Sequence, residues 1–300
     1  MSKAGCIVID IGNTSTALGF YTSGAFSLCD KSSHRLPQIR TDNKCKNLCQ
    51  SVSICGQKLH ALGRVSRIHH FRGGIAKNAP QIRLALESLC AAGTPERVVM
   101  ASVVPAVNAR WMRLLKKDFA LPTLLVTCKT PMPIGIRYPK PETIGADRLV
   151  NACGAFVRYG TPAIVADFGT ALTFDVLSRE GDYIGGVIAP GLPLMTDYLY
   201  EKTALLPRID LAGRCPDIGT STESAMRIGA RIGHRGMVRE TIRHLLATTG
   251  RRTTLCATGG YARWALDGIA LPFHIDPDLT LFGLGVVHDY TAITPSQSNP

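Results

Sequence analysis

The chain has 300 residues, enough for one large or two ordinary domains with substantial cores. Hydrophobic residues make up 45% and charged residues 19%, a globular composition that excludes a disordered tail protein, and no apolar run is long enough to span a bilayer as a helix. The net charge of +12 leaves room for an anionic partner. However, basic residues are spread from Arg35 to Arg252 and aromatics are only 6%, so no nucleic-acid platform is expected.

In chain order, Cys6 to Thr14 reads CIVIDIGNT: an apolar, β-branched run, then Asp10, one apolar residue, Gly12 and a short polar pair. No basic-then-apolar leader precedes it, so residence in the cytosol is expected. A second strand-like stretch, TALGFY, follows at 16–21. Residues 23–72 are rich in Cys, Lys, Arg and Ser and read as surface strands and loops without an assignable task. Within them Cys45, Cys49 and Cys55, with His60, His69 and His70 beyond, invite a zinc hypothesis, but the spacing matches no common ligand pair. The ten scattered cysteines read as reduced thiols.

Pro80 stands where a first helical residue belongs, with Ile82, Leu86 and Leu89 on one face and Gly93 closing the segment. A buried-strand pattern at 97–104, an amphipathic helix over 107–119 with Trp111, Leu114 and Leu115 inward, and a strand at 123–127 complete an α/β layer. A helix then opens at Ala146, with Leu149, Ala152, Cys153, Phe156 and Val157 on its apolar side. Ile164 to Ala171, IVADFGTA, repeats the first motif, and ALTFDVL follows it as TALGFY followed the first. Thr220 to Leu246 reads as a long helix with Thr220 and Glu223 in capping-box spacing; Gly229, Gly233 and Gly236 permit close packing or mark a break. A strand at 255–258 runs into Gly259 and Gly260, and 292–300 read as a tail.

Two strand, acidic turn, strand units half a chain apart imply duplicated α/β domains facing each other, with a boundary that gives 1–148 and 149–291. A cleft between such domains suits a nucleotide triphosphate with magnesium. Tight glycine turns offer backbone N–H groups, hydroxyls meet phosphate oxygens, and carboxylates hold a hydrated cation. Asp10 would hold magnesium through water, with Gly12, Asn13 and Thr14 on the phosphates; Asp167, Gly169 and Thr170 supply the equivalent set, and Gly259–Gly260 would let backbone approach a flat nucleobase. Asp147 and Arg148 fall in the first turn of the helix opening at Ala146. An arginine there opposes the helix dipole, which makes sense if it and the exposed N–H groups hold an anionic substrate while Asp147 accepts a hydroxyl proton.

The stretches DIGNTSTALGF at 10–20, GADR at 145–148, VADFGTALTFDV at 165–176, GGVIAPGL at 185–192, TGGYA at 258–262 and DPDLTLFGL at 276–284, in this order, resemble type III pantothenate kinase across nearly the whole chain. That resemblance implies an actin-like ATPase fold: two ribonuclease-H-like domains around an ATP cleft. It also implies phosphorylation of pantothenate to 4'-phosphopantothenate, the first step of coenzyme A biosynthesis. Carried over, Asp10, Ile11, Gly12, Asn13, Thr14, Ser15, Thr16 and Ala17 form the first phosphate loop and Asp147 is the general base. Gly145, Ala146, Asp147 and Arg148 bind pantothenate with Tyr138 and Thr222. Asp167 holds a monovalent cation, potassium or ammonium, and Gly169, Thr170, Gly259 and Gly260 contact ATP. A homodimer with a shared substrate site is implied as well.

Three other readings stay open at this point. They are a kinase for another small acid or sugar, a regulatory homologue of the Bvg accessory factor type, and a nucleotide-driven ATPase of the actin or heat-shock type. GADR with Tyr138 favours pantothenate over other acceptors, the joint presence of Asp10, Asp147, Asp167 and Thr170 favours catalysis over regulation, and an ATPase needs no Arg148 beside an acidic base.

Overall fold

A computed structural model describes residues 4–22, 62–69, 74–211 and 215–294. Cys45, Cys49, Cys55, His60, His70 and the last residues of the tail lie outside that description.

The continuous apolar run of β1 (Ala4–Ile11) is buried because it lies between two neighbours: antiparallel β2 (Ser15–Thr22) and, in parallel, β4 (Thr94–Ser102). With β3 (Leu62–His69) beyond β2 and β5 (Thr123–Leu125) beyond β4, the order is β3-β2-β1-β4-β5. Helices α1 (Gly74–Ala92) and α2 (Pro105–Phe119) cover the sheet, and Ile82, Leu86, Leu89, Trp111 and Leu115 join Ile7, Ile9 and Met100 in its core. Pro80 is not the first helical residue: α1 begins at Gly74 and carries Pro80 inside. As the seventh residue of α1 it lies past the four N–H groups that have no intrahelical acceptor, so it gives up one bond, to the carbonyl of Ala76, inside the helix rather than marking its start.

After β6 (Gly135–Ile136) and a 3-10 turn at Pro141–Thr143, α3 (Ala146–Tyr159) opens where its periodicity predicts, burying Leu149, Ala152, Cys153 and Val157. The second sheet follows, with β7 (Ala163–Phe168), β8 (Ala171–Leu177) and β9 (Asp182–Pro190), then α4 (Leu192–Lys202), α5 (Thr222–Thr249), β10 (Thr254–Thr258), α6 (Ala262–Leu266) and β11 (Phe273–Ile275). Its strands run β6-β9-β8-β7-β10-β11; beyond the added edge strand β6, the order repeats that of the first sheet, with an antiparallel hairpin on one side of β7 and parallel β10 on the other. The echo in sequence is thus an echo in topology. Helix α5 is continuous through Gly229, Gly233 and Gly236, and its capping box is Ser221 with Ser224, not Thr220 with Glu223. A serine hydroxyl at the third helical position returns the N-cap N–H bond as a glutamate would, so the sequence signal was displaced by one residue.

Two compact units emerge: 1–160 with 181–183 and 278–300, and 161–180 with 184–277. The boundary read from sequence after residue 148 falls inside α3, and the C-terminal helix α7 (Leu279–Ile293) groups with the first unit. There α7 packs on α3 at a glycine pair. A Cβ on Gly154 would lie 2.8 Å from the Leu279 carbonyl, and one on Gly283 would overlap that of Val150. Polar bonds fasten the same helix. The buried Tyr21 hydroxyl donates to Asp289 (2.8 Å), and Arg97 Nε donates to His288 Nδ1 (2.9 Å). Burial and the Arg97 charge hold the His288 pKa down at about 4, so the ring is neutral and can accept.

Candidate active site

The first Asp-x-Gly turn closes on itself through a bond from Gly12 N–H to the Ser15 carbonyl (2.9 Å), leaving Asn13 and Thr14 exposed and Asp10, opposite Ala17, half-buried at its mouth. Ile11 and Thr16 are buried and hold the turn from behind, as do Ile9 and Leu18 further along the strands; Ser15 and Ala17 are partly exposed. Val103 N–H donates to the Ile11 carbonyl (3.1 Å), tying the end of β1 to the β4–α2 connection. A Cβ on Gly145 would lie 3.6 Å from Val103 Cγ1, so Val103 joins the Asp10 turn to the start of α3. Thus 10–17 and 145–148 are brought together within one unit, and Val103, which carries no functional group, is a link no motif could announce.

Gly145 is the N-cap of α3, and a side chain there would collide with the Asp147 carboxylate. That carboxylate accepts the Arg148 N–H at Oδ1 (2.9 Å). Burial raises the Asp147 pKa above its ordinary value, opposed by this bond and the Arg148 charge. The group is therefore a stronger base than an exposed aspartate and is already oriented. The Arg148 guanidinium carbon lies 5.9 Å from the ring centroid of Tyr183, and Tyr138 meets the same ring edge-on with centroids 6.2 Å apart. Tyr138 arrives there because Gly135 and Ile136 pair with Asp182 and Tyr183, and Arg137 N–H donates to the Tyr183 carbonyl (2.9 Å). Tyr183 itself was not singled out: in sequence it is one more aromatic at a strand start.

The second turn is shaped from outside. Gly169 N–H donates to the Ala171 carbonyl (3.1 Å), and Asp167, opposite Thr173, is half-buried at the end of β7. Gly191 N–H donates to the Thr170 carbonyl (3.1 Å), so close that a Cβ on Gly191 would overlap the carbonyls of Gly169 and Thr170. Gly259 has φ +90°, and its Cβ would stand 2.6 Å from Asp167 Oδ1 and from the Phe168 backbone, while Tyr261 N–H donates to the Phe168 carbonyl (3.2 Å). Asp167, Gly169, Thr170 and Gly259 therefore form one constellation in the second unit, with Gly260 exposed beside it. Gly191 belongs to it too, and only its place in GGVIAPGL hinted at this. Thr222, first residue of α5, is exposed and lines an apolar groove of about 560 Å³ with Met195, Leu199 and Met226, none of which is a member of that constellation.

The donor sets suit hard cations. Among the described residues there is no cluster of three His, Cys, Asp or Glu side chains. A single hard carboxylate at Asp10 would suit magnesium held mainly by water and phosphate, and one at Asp167 would suit a monovalent cation.

Known proteins with these features converge. The family model for type III pantothenate kinase matches residues 6–244. A type III pantothenate kinase of Akkermansia muciniphila is 45% identical over 201 residues, covering 67% of this chain and 81% of its own. That of Koribacter versatilis is 32% identical over 290 residues, 94% of each. In fold, the activator of the 2-hydroxyisocaproyl-CoA dehydratase from Clostridium difficile, solved with bound ADPNP, superposes with a TM-score of 0.51 at 12% identity, covering 98% of this chain and 97% of that one. The fold is that of the actin-like ATPases and sugar kinases, and the chain belongs to the type III pantothenate kinase family.

Proposed function

We propose that this protein transfers the γ-phosphoryl group of ATP to the primary hydroxyl of pantothenate, giving 4'-phosphopantothenate and ADP in the cytosol. The observation that carries the reading is Asp147. It is a partly buried carboxylate in the first turn of α3, beside the cation of Arg148 and joined through Val103 to the Asp10 turn, in a chain of this family.

In the reaction the pantothenate hydroxyl oxygen forms a bond to the γ-phosphorus as the bond to the β–γ bridging oxygen breaks. The hydroxyl proton passes to Asp147 and ADP carries away the electron pair. A loose transition state asks little of the base early on, so holding the hydroxyl in line is the larger share of what Asp147 does. Arg148, the N–H groups at the start of α3 and Tyr138 would bind the acid. Asp10 and the turn through Ala17 would hold the phosphates, and Asp167, Gly169, Thr170, Gly259 and Gly260 would serve the nucleotide. Magnesium and a monovalent cation, when bound at Asp10 and Asp167, supply neutralisation of phosphate charge.

On this reading residues 1–148 supply the first phosphate turn, and 149–291 supply the second phosphate turn and the Gly259–Gly260 turn toward the nucleobase. Thr222 would reach substrate across a homodimer. A second copy as cover for the groove is supported by the exposure of Leu205 (90%), Ile218 (80%) and Ile232 (62%), and by the empty space over Gly229 and Gly236. The test is ADP formation from magnesium-ATP and potassium with and without pantothenate, with the product weighed by mass spectrometry. Pantothenate-dependent turnover with one added phosphate is expected; ADP release indifferent to pantothenate would move the function to another acceptor or to a bare ATPase.

A further inference from the structure

We infer that Tyr183 is a positioning residue for the acceptor site: its ring fixes Arg148 and Tyr138 relative to each other and so sets the preference for an acid over its neutral analogue. This rests on the pantothenate reading above and adds a residue to it.

Arg148 stands in the first turn of α3, where the positive end of the helix dipole disfavours a cation. The ring of Tyr183 is fully buried, so it cannot follow the guanidinium and instead defines where it rests, 5.9 Å from the ring centroid, within range of the negative ring face. The same ring takes Tyr138 edge-on, the arrangement aromatic pairs favour. Two residues assigned to the acid thus converge on one immobile group. Tyr183 is held in its turn by the two-residue pairing of β6 with β9, the Arg137 N–H bond to its carbonyl, and an Arg137–Asp182 ion pair at the edge. A pre-set guanidinium spares the binding step the ordering cost that a free arginine would charge against the substrate carboxylate.

The experiment compares the parent enzyme with Tyr183→Leu and Tyr183→Phe. It measures kcat and KM for pantothenate and for the alcohol in which the carboxylate is replaced by a hydroxymethyl group, together with KM for ATP and the thermal midpoint. Tyr183→Leu is expected to raise KM for pantothenate about three- to tenfold, the span of one cation–π contact, with KM for ATP and kcat little changed. The preference for acid over alcohol should narrow by the same factor, and Tyr183→Phe, which keeps the ring, should restore it. If the leucine variant does not fold, pentafluorophenylalanine at 183 keeps the shape while reversing the charge of the ring face, and the same selective rise in KM for the acid is expected. An unchanged KM for pantothenate in a folded variant, or equal rises for pantothenate and ATP, overturns the inference while leaving the kinase intact. Absence of pantothenate-dependent turnover in the parent enzyme removes the functional reading and this inference together.

Discussion

The Asp10 turn and the Asp167 turn occupy the same strand position in sheets of the same order apart from the edge strand β6, yet they are held in different ways. The first is closed by its own Gly12–Ser15 bond and presents exposed Asn13 and Thr14, while the second is pressed into shape by Gly191 on one flank and Gly259 on the other. On the proposed reading, the two copies of one hairpin would meet phosphate in two manners. One copy offers exposed side chains on an open turn; the other offers backbone whose shape is imposed by neighbours that have no side chain.

The same small substitution should therefore have unequal effects in the two places. The largest is expected for Gly191→Ala, whose methyl must displace the Gly169 and Thr170 carbonyls. Overpacking of this kind costs about 3 kcal/mol, seen in thermal or urea unfolding, and misplacing the turn lowers kcat/KM for ATP about a hundredfold. Next comes Gly259→Ala, which combines a φ of +90° with a 2.6 Å approach to Asp167; a left-handed alanine costs about 1–2 kcal/mol, and KM for ATP is expected to rise about tenfold. The smallest is Gly12→Ala, where the new methyl meets only the Ser15 carbonyl at 3.2 Å and φ is unremarkable, so a change below about twofold is expected. Equal losses at Gly12 and Gly191 would erase the distinction between the turns.

Each unit also buries one histidine with a lowered pKa, His288 against Arg97 in the first and His234 beside Arg235 in the second. Unfolded histidine takes up a proton near ~6.5, whereas folded His288 resists until about 4. Between those values the unfolded chain binds more protons, so stability is present above the unfolded value and is lost as pH falls through this window. Urea midpoints across that range should decline on acidification, and His288→Gln, which no longer titrates, should flatten the decline. A slope unaffected by that substitution would point to other groups.

Both hairpins, the inward faces of α1, α2 and α3, and the placement of Asp147 and Arg148 in a first helical turn could be read from local spacing, because each depends on residues within a few positions of one another. What escaped depends on long-range approach. Tyr183 reaches Tyr138, far away in the chain, through a strand pair two residues long. Helix α7 returns to the first unit because Gly154 and Gly283 let two backbones meet, a pairing that neither glycine signals alone. The cap of α5 was displaced for a local reason, since the same residue types serve at neighbouring positions of a helix start, whereas Pro80 sits inside α1, where packing of its apolar face outweighs one lost bond.

Asp147→Asn, followed in parallel by steady-state kinetics and thermal unfolding, tests the centre of this account most directly. The asparagine oxygen can still accept the Arg148 N–H while the desolvated charge is gone. Because a raised carboxylate pKa means the folded state loses stability as pH rises through that value, removing the charge should leave the neutral-pH midpoint unchanged or higher. The expected result is a fall in kcat of about a hundredfold or more with KM for ATP and the unfolding midpoint preserved. Full turnover in the variant, or a loss that merely follows a lowered midpoint, would contradict the assignment of Asp147 as the base.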